Sequence, residues 1–395
     1  MQTACATPSV ANAHLLLGHR GCGKSTELVN LKKQLEESGQ PAHVIKCHME
    51  LDMYQVNCWD MMLLITEGLC KIANDRDIDL PQDVTKAMFD YLKKDTTITE
   101  TMDGSLSVAA SAGIKASTPP LLSMLLKAFA SIKIAAKLSS STRAVTEEKL
   151  KKRTTEWLDY TKLMANVISA ECGGKQPVII FEDLDKIPMP SNIFNILQLT
   201  VLAQMPFPVI YTFPMDQVYS PQFLALGDLY TWHILPMIKV SNLDGSENKD
   251  GIAMIRKIVE KRGDLALFDG EAGNGVLEYL IRKTGGSLRN LFKCIISAAG
   301  RAEWRGADKI QREDADSALS DLRGVLTRMI VRSEYKSLAE IYSDQKCREQ
   351  IDDKALLLKM IQASVIIEYQ NGNHWHDLHS LIADFLIRQG VIVER

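Results

Sequence analysis

The sequence has no paired cysteines. Its eight cysteines stand singly, with no CxxC pair and no regular spacing, which argues against a zinc site or a disulfide framework and for a reducing, cytoplasmic setting. Long hydrophobic runs are missing too: no stretch of about 18 apolar residues free of charge offers a membrane span. The opening MQTACATPSV has neither a basic start nor an apolar signal core, so nothing in it directs export. An excess of one charge is also lacking. Forty-six Lys and Arg face 49 Asp and Glu, a net charge of -3, so the whole-chain balance draws neither nucleic acid nor an acidic membrane. What remains is 395 residues, 46% hydrophobic and 24% charged, the composition of a globular chain of two or three domains.

One segment is far more informative than the rest. Leu15, Leu16 and Leu17 lead into Gly18-His19-Arg20-Gly21-Cys22-Gly23-Lys24-Ser25, followed by Thr26, which is G-x-x-x-x-G-K-S. The leucines read as a short buried strand. Leu28, Leu31 and Leu35 follow at helical spacing until Ser38-Gly39 stops the helix, so strand, loop and helix arrive in order. A triphosphate must be wrapped by backbone N–H groups, and side chains at Gly18, Gly21 and Gly23 would hinder the turn or block close approach. The helix start adds its positive dipole end. Lys24 is placed to bridge the β- and γ-phosphates, the Ser25 hydroxyl to ligate Mg2+, and Thr26 to add a contact; His19, Arg20 and Cys22 complete the loop. Cys22 reads as a tolerated small residue. The plain alternative is a glycine turn carrying an ordinary surface lysine.

An ATP site needs a second half, an apolar strand ending in carboxylates. Pro177-Val178-Ile179-Ile180-Phe181 followed by Glu182, Asp183, Leu184 and Asp185 supplies it and fits a Walker B strand. One acid at the tip would hold magnesium and its neighbour polarise the attacking water. Glu182 and Asp183 are both named for these jobs, because the order Glu-Asp inverts the commoner Asp-Glu; Asp185 reads as a brace for the following turn.

These residues resemble the P-loop ATPases of the AAA+ and STAND neighbourhood, the branch that includes archaeal-type origin-recognition ATPases. The resemblance runs over roughly residues 13 to 300 and is strongest in the two Walker segments. It implies an α/β fold: a P-loop parallel sheet with helices on both faces, then a helical lid and a C-terminal winged-helix-like module. ATP and Mg2+ are the implied ligands. Val209 to Pro214 resembles the strand whose polar tip, here Thr212, serves as sensor 1, and Ile234 to Val240 resembles the last core strand. Thr284-Gly285-Gly286-Ser287-Leu288-Arg289 resembles the sensor 2 turn, with Arg289 reaching the nucleotide. Three features depart from the family. Only about a dozen residues precede the first strand, which leaves adenine specificity weakly supported; a long insertion separates the second strand from Walker B; and no arginine finger is legible, so basal hydrolysis should be slow.

The expected organisation is an ATPase core over 1–243 with an insertion at about 76–172, a lid over 244–312 and a winged-helix-like module over 313–395. His43 to Cys47 reads as the second strand, with Glu50-Leu51-Asp52 as an acidic tip or a solvated strand end. Residues 59–75 and 81–94 read as helices, Gly104 to Pro120 as a loop and 145–171 as a long helix charged at its start. Lysines 127, 133 and 137 give the helix over 121–138 a basic face. Packing on its own domain or on another protomer is favoured there over attachment to a membrane. Residues 248–303 are helical and locally basic, which suits a lid as well as a phosphate-binding surface. Near the end, Val365 to Tyr369, the turn Asn371-Gly372 and Trp375 to Leu378 read as a hairpin between helices. Because it carries Glu368 and Asp377 and no Lys or Arg, docking to protein is favoured over reading DNA. A metal at His374, His376, Asp377 and His379 is disfavoured, since alternation along a strand splits these side chains between faces.

The expected function is therefore a switch ATPase that binds Mg-ATP, hydrolyses it slowly and signals through its lid and C-terminal module to a protein partner or a second copy. A DNA-handling AAA+ remodelling ATPase and a nucleotide-binding scaffold without useful turnover stand as alternatives.

Overall fold

The structure, a computed structural model, describes residues 12–93, 113–138, 148, 151–187, 193, 195–270 and 275–393. The expected starts of the loop over 104–120 and of the helix over 145–171 lie mostly outside the described residues. Two compact units result: Met1–Leu16, Ser25–Phe213 and Pro221–His233 form the first, and Leu17–Lys24, Pro214–Ser220 and Ile234–Arg395 the second.

The first unit is built on a five-stranded parallel sheet in the order β2-β3-β4-β1-β5. Its strands are β1 (Ala13–Leu17), β2 (Ala42–Lys46), β3 (Val178–Glu182), β4 (Val209–Phe213) and β5 (Thr231–Ile234). Val178 to Phe181 are fully buried, the continuous apolar run of a strand covered on both faces. Helix α1 (Lys24–Glu37) buries Leu28, Leu31 and Leu35 and stops at Gly39, whose φ of 84° lets the Gln40 N–H reach the Leu35 carbonyl at 2.8 Å. A single turn, α2 (Cys47–Glu50), follows β2. Helix α3 (Cys58–Asp75) begins in a capping box, the Asn57 side chain accepting the Asp60 N–H at 3.0 Å while Asp60 accepts the Asn57 N–H at 3.1 Å.

Around α3 stand α4 (Gln82–Lys93), α5 (Pro120–Leu138) and α6 (Thr154–Glu171). Leu122, Leu125, Leu126, Phe129 and Ile132 of α5 are buried, and Lys133 joins Glu50 at 2.7 Å to the buried Glu67 at 2.8 Å. This lysine is thus a tie within the unit, and Glu50 is spent on it. Short helices α7 (Ile196–Leu202) and α8 (Pro221–Leu224) flank β4 and its following turn.

One strand sits earlier than the sequence suggests. β5 is Thr231–Ile234, not Ile234 to Val240. The Leu235 N–H still donates to the Leu17 carbonyl at 2.9 Å, but Pro236 has no N–H and ends the pairing there.

The second unit is helical: α9 (Lys249–Glu260), α10 (Val276–Lys283), α11 (Leu288–Trp304), α12 (Arg312–Leu326), α13 (Tyr335–Ser343), α14 (Gln345–Glu349) and α15 (Lys354–Gln362). The hairpin β6 (Ile366–Asn371) and β7 (Asn373–Leu378) and helix α16 (Ser380–Arg388) close it. Gly372, at φ 79°, turns the hairpin, pairing Asn371 with Asn373. Residues 235–240 run as an extended connector against two helix starts. A side chain at Gly286 would overlap the Ile238 carbonyl, and one at Gly251 the Lys239 carbonyl. Among the described residues no helix is long and apolar enough to cross a membrane.

Four histidines are buried and His43 is half-buried, and burial lowers each below the usual 6.5: His14, His376 and His379 to about 4, His19 and His43 to about 3. The unfolded chain binds these protons first as pH falls, so stability rises with pH between the folded and unfolded values. Glu368, raised by burial, opposes this with a single proton. The melting midpoint, followed by circular dichroism, is therefore expected to fall steadily as pH drops from 6.5 toward 4 and to change little just above 7. A midpoint constant across that window would contradict the burial of neutral imidazoles.

Candidate phosphate-binding site

The loop that leaves β1 turns through glycines at φ 153° (Gly18), 92° (Gly21) and 110° (Gly23), conformations that side chains resist. Space adds a second restriction at two of them. A Cβ on Gly18 would lie 2.6 Å from the Leu235 carbonyl oxygen, and one on Gly21 would lie 2.8 Å from Ser287 Oγ and 2.9 Å from Arg289 Cβ. The first turn of α11 is thereby pressed onto the loop, with Ser287 capping it through the Asn290 N–H at 3.4 Å. The sequence places Arg289 near the nucleotide, and in the fold it lies beside Gly21.

Lys24 opens α1 and is buried. Its ammonium donates to the Gly18 carbonyl at 2.6 Å and the His19 carbonyl at 3.0 Å, so the charge is held by the loop's own backbone. Ser25 and Thr26 are exposed on the next positions, and Arg20 is exposed at the loop's crest. His19 is placed differently from a nucleotide contact. Its ring is buried, and Nε2 accepts the Glu368 N–H at 2.7 Å. Burial first, then the Lys24 and His376 charges, lower it to about 3, which keeps the ring neutral and able to accept. Cys22 is buried against Met237, Ile367, Tyr369 and Trp375, where the thiol packs as a small apolar group.

A cavity of about 360 Å³ opens beside Arg20 and Arg289, with Lys293, Cys294, Leu322 and Leu326 among its other walls. Arg20, Arg289 and Lys293 are exposed along its cationic side.

In the first unit β3 ends at Glu182, buried and paired in register with Lys46 of β2. Asp183 follows at φ 75°, a left-handed position that Asp tolerates better than most residues. Its carboxylate takes His48 Nδ1 at 2.5 Å on one oxygen and the Lys186 ammonium on the other. The turn is braced from β4: Thr212 Oγ1, buried, accepts the Leu184 N–H at 2.9 Å. That leaves the Thr212 hydroxyl proton to donate. Asp185 is buried within the same turn. Among the described residues no ion pair or hydrogen bond reaches the Glu182 carboxylate.

His48 and Lys186 were not singled out in the sequence. Lys186 lies three residues after Asp183, a local pairing that spacing alone could suggest. His48 could be found only from the β2–β3 register, which sets the end of one strand beside the end of the other. The residue expected to shape that tip, Glu50, points to Lys133 instead. Strand order completes the arrangement. Within the first unit, Thr212 and the acids follow the carboxyl ends of the neighbouring strands β4 and β3, where α/β proteins place ligands.

Neither a protein-family model nor a curated protein sequence matches the chain. Solved structures similar to it include archaeal ORC and Cdc6 proteins. The ORC2 protein of Aeropyrum pernix, solved as ADPNP-ADP complexes, has a TM-score of 0.43 and 11% identity, covering 99% of this chain and 90% of that one. Cdc6p of Pyrobaculum aerophilum has a TM-score of 0.37 and 13% identity, covering 96% and 88%. The ORC1 protein of Aeropyrum pernix, solved in complex with DNA, has a TM-score of 0.35 and 12% identity, covering 96% and 88%.

The loop geometry makes an internal comparison. Gly21→Ala adds a close contact to a strained φ, whereas a Cβ on Gly23 meets only Leu288 Cδ1 at 3.9 Å. Urea denaturation is expected to show a loss of roughly 1–3 kcal/mol for Gly23→Ala and a larger one for Gly21→Ala. Equal losses would mean that α11 does not rest on the loop.

Proposed function

We propose that the chain binds Mg-ATP at the Gly18–Thr26 loop, hydrolyses it slowly and uses the nucleotide state as a switch. One observation carries this reading: Lys24 stands buried among the carbonyls of a three-glycine loop, with the Arg289 turn packed on Gly21. Such a loop binds polyphosphate by exchange. The ammonium leaves a backbone carbonyl for a phosphate oxygen, and loop N–H groups and the α1 terminus take the remaining charge. Arg289 and the Thr212 hydroxyl would then report on the γ-phosphate.

The donor set fits magnesium, which prefers oxygen ligands: a hydroxyl at Ser25 and carboxylates at Glu182 and Asp183. Glu182, with no ion pair among the described residues, suits the ion better than Asp183, whose two oxygens are already engaged. Magnesium, when bound, neutralises charge on the triphosphate. Asp183 is left to orient and deprotonate water, with His48 and Lys186 fixing the carboxylate's direction. The inverted order of the acids thus matches a division of labour, Glu182 for the ion and Asp183 for the water. Signalling through residues 244–312 as a lid and 313–395 as an output module, to a protein partner or a second copy, extends the same reading.

Nucleic-acid handling is the second reading, and charge pairing limits it. Of the basic residues over 248–305, Arg256 pairs with Glu278, Arg282 with Glu247, Lys283 with Asp384, Arg301 with Asp321 and Arg305 with Asp314. What favours it is the exposed trio Arg20, Arg289 and Lys293.

Lys24→Ala is expected to abolish tight Mg-ATP binding measured by calorimetry. Asp183→Asn should keep binding and lose at least about a hundredfold in hydrolysis, and His48→Ala should keep binding with a smaller loss, roughly tenfold. Unchanged turnover in all three removes the site assignment. Filter binding of duplex DNA at two salt concentrations decides the second reading: salt-sensitive retention that Lys293→Glu weakens supports it, and no retention at low salt ends it.

A further inference from the structure

The β6–β7 hairpin carries neither the loop nor the acids, yet it is hydrogen-bonded directly to the loop. In the register Glu368 faces His376, and the Glu368 N–H points out of the ribbon's edge to His19 Nε2 at 2.7 Å. The His19 carbonyl, on the same residue, takes the Lys24 ammonium. A single residue therefore joins the phosphate-seeking charge to the hairpin. On the ribbon's other face Ile367 and Tyr369, with Trp375, pack on Cys22. The Tyr369 hydroxyl donates to the Gly285 carbonyl at 3.0 Å, in the turn that leads to Arg289.

Behind Glu368 lies a buried polar chain. The Tyr219 hydroxyl is bonded to the Glu368 carboxyl and to His376 Nε2 at 2.8 Å, and His376 Nδ1 donates to the Arg348 carbonyl at 3.2 Å. The Tyr219 hydroxyl donates to the Glu368 carboxyl, and its oxygen lies within reach of His376 Nε2. Burial raises Glu368 and lowers His376, so it favours the uncharged form of each. Tyr219 closes the 3-10 turn Met215–Tyr219 that comes after β4, so the chain ties the hairpin to that turn as well.

We infer that Tyr219, Glu368 and His376 are positioning residues for the phosphate loop, acting through His19, so that the C-terminal hairpin sets how tightly the loop holds a nucleotide. The inference rests on the nucleotide reading above and names its regulation. A loop already shaped by the hairpin spends little on rearrangement when a polyphosphate enters, and loosening the hairpin raises that cost. Linkage makes the effect reciprocal: a nucleotide that prefers the shaped loop tightens the hairpin by the same factor. Whatever partner engages β6–β7 thus competes with, or assists, nucleotide binding.

The test uses the full chain with Mg-ADPNP and Mg-ADP. Calorimetry is run on the native chain, Lys24→Ala, Tyr219→Phe, His19→Phe and His19→Asn, with amide exchange of the 366–378 segment followed with and without nucleotide. Tyr219→Phe and His19→Phe are expected to bind roughly tenfold more weakly, the effect of one lost buried hydrogen bond. His19→Asn, which keeps an acceptor for the Glu368 N–H, should recover much of the affinity. Nucleotide should slow exchange across the hairpin in the native chain and fail to do so in His19→Phe. Native affinity in a folded Tyr219→Phe together with hairpin exchange indifferent to nucleotide overturns the inference while leaving the site intact. A native chain that binds no better than Lys24→Ala overturns the nucleotide reading and the inference together.

Discussion

A buried ammonium has to be met by oxygen, and around Lys24 the oxygens are backbone carbonyls of its own loop. That requirement orders much of what surrounds it. The carbonyls can converge only if the chain passes through three glycines in conformations closed to other residues, and the loop can be held in that shape only if something packs on its outer side. α11 does so at Gly21, the connector at Gly18 and the hairpin at His19 and Cys22. If the loop binds polyphosphate as proposed, it gains from being held in advance, because the ligand's contacts then act on a structure that need not be reordered.

What the sequence made legible was local. The G-x-x-x-x-G-K-S pattern, the leucine spacing of α1, the apolar run of β3 and the Asn371-Gly372 turn are written in neighbouring residues, and all appear where expected. β5 was misplaced because Ile234 to Val240 offers a better apolar run than Thr231–Ile234; the decisive fact, pairing with Leu17 followed by a proline, depends on a strand more than two hundred residues away. His48 at Asp183 and Tyr219 at Glu368 are long-range for the same reason. Glu368 and Asp377 serve in the sequence as a sign that the hairpin does not read DNA, and in the fold both are buried, which composition alone does not reveal.

Both units draw a few charges inward and leave others at the surface. In the first, a few ions are drawn inward: Lys133 and Lys71 both reach Glu67, which is almost wholly buried, and Asp183 is held between His48 and Lys186. Each such group would be costly alone, and their mutual satisfaction fixes geometry more than it adds stability. In the second, Arg256 and Arg305 reach the buried Glu278 and Asp314, while Arg301–Asp321 and Arg312–Asp316 lie at the surface, where single bridges contribute little and salt weakens them.

The connector over 235–240 touches its neighbours where they have no side chains. Two successive carbonyls, Ile238 and Lys239, each rest against a glycine, Gly286 at the turn before α11 and Gly251 at the head of α9. Ordinary packing absorbs small displacements by rotating side chains into other rotamers, but bare backbone against bare backbone has no such slack. A slide of the connector by even half an ångström must be followed by both helix heads or opposed by a steric wall. The two notches therefore leave the connector little room to slide against the heads of α9 and α11.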